Sequence, residues 1–391
     1  MINCIKTPIY LDNASTTHVD KLVCLEMMRC LSEDHNFANP DSSHHSLGMR
    51  AHELVEIARI QISNLVHCDP REIIFTSGAT ESNNLALIGV AEALNIKGKH
   101  IIVSQTEHKA ILETCRYLES KGYHVTYLKP LSNGLIPLDM LEDAITLETI
   151  LVSIMHVNNE LGVVQDIRSL ADCLKKKNIL FHVDAAQSVG KIPIDLREIY
   201  ADLMSFSAHK LHGPKGIGAL FIRDRSDIAI KPLSYGGGQE RGLRSGTLAT
   251  HQIAGMGKAF FLAKERLTKD AEYISMLSNR FCNGLKAISQ ISFNIERMYC
   301  IPHILNFRIE NVDSAELLSV TPEIAAAVGS ACNSRSASGS HVLRAIGLTD
   351  SQVRSSLRIS LSRFNTIEEM DFIVARLKKM IGLLTKLKSF E

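Results

Sequence analysis

The chain has 391 residues, length for roughly two or three domains and a sizeable core. Hydrophobic residues make up 45% and charged residues 22%, the profile of a soluble globular protein. With 43 basic and 42 acidic residues the formal charge is +1, which gives no support for a general nucleic-acid or membrane-surface role. The N-terminal stretch lacks a basic region followed by an apolar one, so no secretory leader is predicted. No run of eighteen or more apolar residues predicts a bilayer span. The nine cysteines are scattered and never spaced Cys-x-x-Cys. That pattern speaks against a disulfide framework or zinc knuckle and for a reducing, cytoplasmic setting.

In chain order, Leu47, Ala51, Leu54, Val55, Ala58, Ile62 and Leu65 recur at helical spacing. Short apolar runs then read as buried strands at 72–75, 100–103, 124–128, 150–154, 179–183 and 217–222, several of them separated by amphipathic stretches. This alternation predicts an α/β fold with a mostly parallel sheet covered on both faces. After about residue 260 the texture changes to a long helical segment through Leu267 and Leu285, strands at 304–309 and 357–361, and a last helix through Met370, Ile373, Leu377 and Met380. The expected division is a large domain over 16–260 and a smaller α+β domain formed by 1–15 and 261–391.

Ligands of open α/β sheets sit beyond the carboxyl ends of the strands, so the residues just after each run matter most. The first run turns through Gly78 into a helix start with Ala79 and Thr80, whose free N–H groups and hydroxyl suit a phosphate. A plain glycine turn is the simpler reading of that segment alone. His108 follows the second run, where a structural histidine is the commoner case and an acid/base the alternative. Asp184 closes the fifth run, and Gln187 lies just beyond. A carboxylate there keeps a pyridine nitrogen protonated, or simply caps a turn. Ser207, His209 and Lys210 precede a glycine-rich stretch. Lysines are mostly solvated, but this segment is too poor in charge for a routine exposed face, and one lysine amine is what an aldehyde cofactor needs. The segment 236–247 is dense in glycine, arginine and hydroxyl groups and reads as an anion-facing loop.

Cys332 stands apart from the other cysteines. Its neighbours from Gly329 to Ser340 are mostly small residues, too flexible for a core, and Arg335 favours a thiolate. Cys24, Cys30, Cys115, Cys173 and Cys282 sit in helical patterns instead, and no basic or nucleophile-like cluster surrounds Cys4, Cys68 or Cys300.

Taken together, these motifs resemble the cysteine desulfurases of the class V aminotransferase group, fold-type I pyridoxal phosphate enzymes, over nearly the whole chain. The matching stretches are 10–17, 77–84, 106–111, 158–162, 182–187, 205–218, 236–247 and 329–332. The resemblance implies a seven-stranded, mostly parallel sheet sandwiched by helices, and pyridoxal 5'-phosphate as cofactor. It makes Lys210 the imine lysine, Asp184 the pyridine partner and His108 the stacked acid/base. Asn159 and Gln187 would bond the ring hydroxyl oxygen. Ala79, Thr80, Ser207 and His209 would hold the phosphate, with Thr247 reaching in from a second subunit of a homodimer. The implied reaction converts L-cysteine to L-alanine. Arg358 and Asn159 would bind the substrate, and Cys332 would carry the sulfur as a persulfide to an acceptor protein in iron–sulfur cluster assembly or in tRNA or DNA thiolation. No metal site is expected as a primary role, although Cys332 could transiently ligate an iron–sulfur cluster, and no direct nucleic-acid binding is expected.

The chain departs from that pattern at Ser15 (commonly Ala), His18 (Pro), Val328 (Ser or Thr) and Asn333 (Thr), none of which removes a catalytic group. Its tail after the last helix is short, whereas relatives that dock an iron–sulfur scaffold often continue further. A selenocysteine lyase or C–S lyase of the same fold, and a non-catalytic scaffold, are the competing readings.

Overall fold

The computed structural model describes residues 5–32, 36–328 and 339–388. Its strands are β1 Ile9–Tyr10, β2 Ile73–Thr76, β3 His100–Ser104, β4 His124–Leu128, β5 Thr149–Ser153, β6 Leu180–Asp184, β7 Leu203–Ser207, β8 Gly218–Ile222, β9 Ile291–Phe293, β10 Ile304–Ile309, β11 Ile324–Ala325, β12 Ala327–Val328 and β13 Ser356–Ser360. Seven of them form one sheet in the order β2-β8-β7-β6-β5-β3-β4. Neighbours from β7 to β4 run parallel, and β8 runs antiparallel to both β2 and β7. The expected α/β architecture is therefore present, with β7, the run leading to Lys210, completing the six predicted strands.

The physical reason for the apolar runs is two-sided burial. Every residue of β3, β5, β6 and β7 is buried, so these strands cannot alternate apolar with polar. One face carries Ile102, Val152, Phe181, Val183, Met204 and Phe206 against the helix Ser46–Val66, which presents Val55, Ala58 and Ile62. The opposite face carries Ile101, Val103, Leu151 and Leu180 against the helices Ala79–Ala93 and Lys109–Ser120. At roughly 25 cal/mol per Å² of buried apolar surface, such a sandwich is the main favourable term of this half of the fold.

A second core lies around an antiparallel sheet in the order β12-β13-β10-β9, packed on the helix Ile367–Lys388. The N-terminal arm joins it. Ile9 and Leu11 are buried there, β1 pairs parallel with β11, and Asp12 bridges to Ser360. One helix of 37 residues, Thr250–Lys286, serves both cores. Ile253, Met256 and Phe260 pack into the first, and Ile274, Leu277, Phe281 and Leu285 into the second. At 1.5 Å per residue it is about 55 Å long. No helix among the described residues is long and apolar enough to cross a membrane.

Candidate active site

The carboxyl ends of the parallel strands open on a cavity of about 540 Å³, within the range of small-molecule sites. Its walls include Ala14, Ser15, Gly78, Ala79, Thr80, Asn83, His108, Asn159, Asp184, Gln187, Ser207, His209, Lys210 and Arg358. Residues from five strand ends, the N-terminal arm and β13 thus converge on one space.

Lys210 ends a single 3-10 turn, Ala208–Lys210, directly after β7. Its Nζ donates to the backbone oxygens of Ala14 and Ser15, both at 2.7 Å. The arm therefore fixes where the amine points. At the other end of the cavity, β2 turns through Gly78 (φ +152°) into the helix Ala79–Ala93. A Cβ at Gly218 would lie 2.5 Å from Gly78 Cα, so the close approach of the two backbones needs glycine there. The N–H groups of that helix's first turn lack helical acceptors and lie in the cavity wall beside Thr80 and Ser207. His209 accompanies them, bonded through Nδ1 to Thr16 Oγ1 at 3.1 Å. Burial, and then the charges of Lys210, Lys215 and Lys191, push its pKa down to about 4, so it is neutral at pH 7.

Asp184 is the last residue of β6 and is buried. Oδ1 accepts from the N–H of Ala186 at 2.9 Å and Oδ2 from Asn83 Nδ2 at 2.8 Å. The turn-capping role and the cavity-facing role therefore coexist in one side chain. Beneath it, Glu107 is fully buried, and burial, with the Asp184 charge adding to it, raises its pKa well above the carboxylate range. Burial thus disfavours charge on Glu107, while the Asp184 carboxylate is the one that lines the cavity.

His108 caps the helix Lys109–Ser120, its Nδ1 accepting from the N–H of Ala110 at 3.1 Å. A backbone N–H can only donate, so in the neutral ring the proton sits on Nε2. Burial lowers its pKa; Asp184 opposes that and Lys210 reinforces it. The side chain has protein around it yet keeps accessible surface, because that surface opens on the cavity.

Arg358, from β13, closes the remaining wall. Nη1 donates to the Asn159 oxygen at 2.9 Å, and Nη2 to Asp12 Oδ1 and Ser15 Oγ, both at 2.6 Å. Its Nε is buried without a partner. A guanidinium held in place by these three bonds at the cavity wall suits a carboxylate arriving in the cavity. The Gln187 amide donates from Nε2 to Ala14 O at 2.7 Å and accepts at Oε1 from Lys191 Nζ at 2.6 Å.

A family model, Aminotransferase class-V, matches residues 9–373. The chain belongs to the class-V aminotransferase family. It is 52% identical over 382 residues to the cysteine desulfurase IscS of Pectobacterium atrosepticum, an alignment covering 98% of this chain and 95% of that protein. Among solved structures it is similar to a NifS-like protein (37% identity, TM-score 0.89, covering 96% of this chain and 99% of the other). SspA in complex with cysteine is a further likeness (40% identity, TM-score 0.81, 91% and 99% covered).

Of the site residues expected from the sequence, the class-V fold gathers all but two around this cavity. Thr247 is exposed and does not line the cavity of its own chain. Its loop is anchored from behind, where buried Glu240 takes both Nη atoms of Arg59 (2.8 and 3.0 Å) and the N–H of Phe75 (2.6 Å). Cys332 lies outside the described residues. The ends of its segment are placed, however. Ala327 of β12 stands opposite Arg358, while Ser340 Oγ donates to Glu160 at 2.5 Å and His341 Nε2 meets the Glu107 oxygen at 3.0 Å. No cysteine among the described residues lines the cavity. Burial pushes the thiols of Cys68, Cys115 and Cys300 up to about 12. No metal-binding cluster occurs among the described residues.

Sequence reasoning missed Asn83, Glu107, Asp12, Ser15 and Lys191. Asn83 had a signal, a polar residue on the helix face that carries Ala86, Leu87 and Val90. Asp12 and Ser15 meet Arg358 from more than 340 positions away and had none.

Proposed function

We propose that the chain is a pyridoxal 5'-phosphate-dependent cysteine desulfurase that turns L-cysteine into L-alanine and leaves the sulfur as a persulfide on Cys332. The observation that carries this reading is one cavity holding an anion-binding end, a fixed carboxylate and a lysine amine between them. The fit to the cofactor rests on those groups: the first-turn N–H groups with Thr80, Ser207 and neutral His209 for a phosphate, Asp184 for a pyridinium, and Gln187 and Asn159 for a ring oxygen. When bound, pyridoxal phosphate supplies an electron-withdrawing cationic ring.

The chain's own residues do the rest. Asp184, held by Asn83 and the Ala186 N–H, keeps its charge where a ring nitrogen needs it. Arg358, whose side chain lines the cavity, takes the substrate carboxylate and so sets the orientation of Cα. Lys210 Nζ and His108 Nε2 move the proton at Cα. The Cys332 thiolate attacks the substrate sulfur; the C–S bond breaks as the S–S bond forms. One thiol and one cysteine give one alanine and one persulfide, so no outside oxidant is required. Supporting this reading, Ala327, before the segment that carries Cys332, pairs with Arg358, and Ser340 and His341, after it, bond to Glu160 and the Glu107 backbone oxygen.

In the same reading the enzyme is a cytoplasmic homodimer, with Thr247 completing the phosphate site of the partner. An acceptor protein collects the sulfur, and the large and small domains divide near residues 15 and 260. Lys210→Ala is expected to abolish the cofactor's visible absorption band and alanine formation. Cys332→Ala is expected to keep the band and the binding of cysteine but release no sulfide. A Cys332→Ala enzyme turning over normally, or cysteine-treated protein with no mass increase of one sulfur on Cys332, would instead favour a lyase that frees its product directly.

A further inference from the structure

A second cavity, of about 40 Å³, lies behind the first, and Ala14 and Lys210 line both. The small cavity is polar where a core would be apolar. Asn13, Lys191 and His303 all line it. Asn13 Oδ1 and His303 Nδ1 are buried there with no partner in the protein. Its size leaves room for at least one water beside Lys191, which lines it. Lys191 keeps some accessible surface although protein surrounds it on every side, because that surface faces this cavity.

Lys191 Nζ donates to Gln187 Oε1 at 2.6 Å, and the Ala14 oxygen accepts from Gln187 Nε2 at 2.7 Å. The Ala14 carbonyl can only accept, and an ammonium can only donate. Turning the amide over would set its NH2 against an ammonium and its oxygen against a carbonyl. Its orientation is therefore fixed by chemistry from both ends. One hydrogen of Nε2 goes to Ala14, and the second is left for the cofactor cavity whose wall Gln187 forms. We propose that Lys191 is a positioning residue that acts through Gln187, locking its amide so that an N–H donor rather than a carbonyl faces the bound cofactor.

Two features support the assignment. The mechanism gives this buried lysine no other task, and an ammonium shut away from a carboxylate is costly enough to need one. Burial, then the charges of Lys210 and Arg358, lower its pKa to about 7; the ammonium form locks the amide from this end, and the neutral amine still offers N–H donors to Oε1 while Ala14 holds the other end. Without Lys191, the amide oxygen would be a buried acceptor with no donor, free to seek one by rotating its N–H away from the cavity.

The inference rests on the cavity being a pyridoxal phosphate site, and the test separates the two. A double-mutant cycle of Lys191→Met and Gln187→Ala is made on holoenzyme. It is read by the cofactor's dissociation constant and by the pH midpoint of its visible band, which a merely structural lysine would not move. Lys191→Met is expected to weaken cofactor binding about tenfold and shift the midpoint, and to add less than about twofold once Gln187 is already alanine. An equal penalty in both backgrounds, or an unmoved midpoint, overturns the inference. If Lys191→Met does not fold, the same cycle with Lys191→Gln decides, because a glutamine there can offer either end of its amide and no longer locks its neighbour. A wild-type protein that takes up no pyridoxal phosphate overturns the functional reading itself; one that takes it up while the cycle is additive overturns the lysine's role alone.

Discussion

The two walls of the cavity are built in different ways. On the sheet wall, Thr80, His108 and Lys210 follow a strand by a few residues and Asp184 ends one, and each has a short-range feature: a helix start, a cap, a 3-10 turn and a turn N–H respectively. On the arm wall, Arg358 is held by Asp12 and Ser15, 346 and 343 positions away, and Lys210 is aimed by the carbonyls of the same arm. Local geometry thus sets where a cofactor would sit, and long-range docking sets where a substrate would. The first should survive disturbances that ruin the second.

The largest effect should come from the sheet wall. Asp184→Ala is expected to cut alanine formation about a thousandfold and shift the visible band, because the charge under the ring is lost rather than moved. Arg358→Ala should lower kcat/KM for cysteine about a hundredfold while the band stays as in the wild type. Loss of the band in that variant would break the separation between the walls. Acid should weaken the fold through its buried histidines, two of which lie in and beside the sheet. His182, buried inside β6, and His156, just past β5, are both pushed down to about 4 by burial. The unfolded chain binds their protons below about 6.5 and the folded chain does not. The stability they contribute is therefore present above pH 6.5 and is lost as the pH falls toward 4. Thermal melts taken from pH 7 to pH 4.5 should show a decline of roughly 2 kcal/mol for each of the two histidines, and the decline should shrink in His182→Asn. The smallest effect is expected at Asp12→Asn, which keeps the shape of the arm but removes a 2.6 Å ion pair. KM for cysteine should change about tenfold and kcat by less than twofold, measured by steady-state kinetics. A change in kcat as large as that in KM would mean that the arm also shapes the chemistry.

The same division governs how much of the molecule is legible in the sequence. Buried strands announce themselves because two covered faces demand unbroken apolar runs. Asp184, His108 and Lys210 therefore stand at or just after strand ends, as the apolar runs implied. The sheet's antiparallel member, β8, gave the same apolar signal as its parallel neighbours, so its direction was invisible. Glu107 and Lys191 look in a sequence like ordinary charged residues, since nothing local reveals that one lies under Asp184 and the other behind Gln187. Arg358 came only through family resemblance. Its partners in the arm are brought to it by the pairing of β1 with β11 and the Asp12–Ser360 bridge, which no spacing rule anticipates.

The helix Thr250–Lys286 carries one further implication. It is a single beam embedded at both ends, with Phe260 gripped by one core and Phe281 by the other. A beam of this kind ties the fates of its two foundations: melting either core strips the packing from half of the helix and removes its support from the other half. The protein should therefore come apart in one step, and the substrate wall inherits the durability of the much larger sheet it leans on.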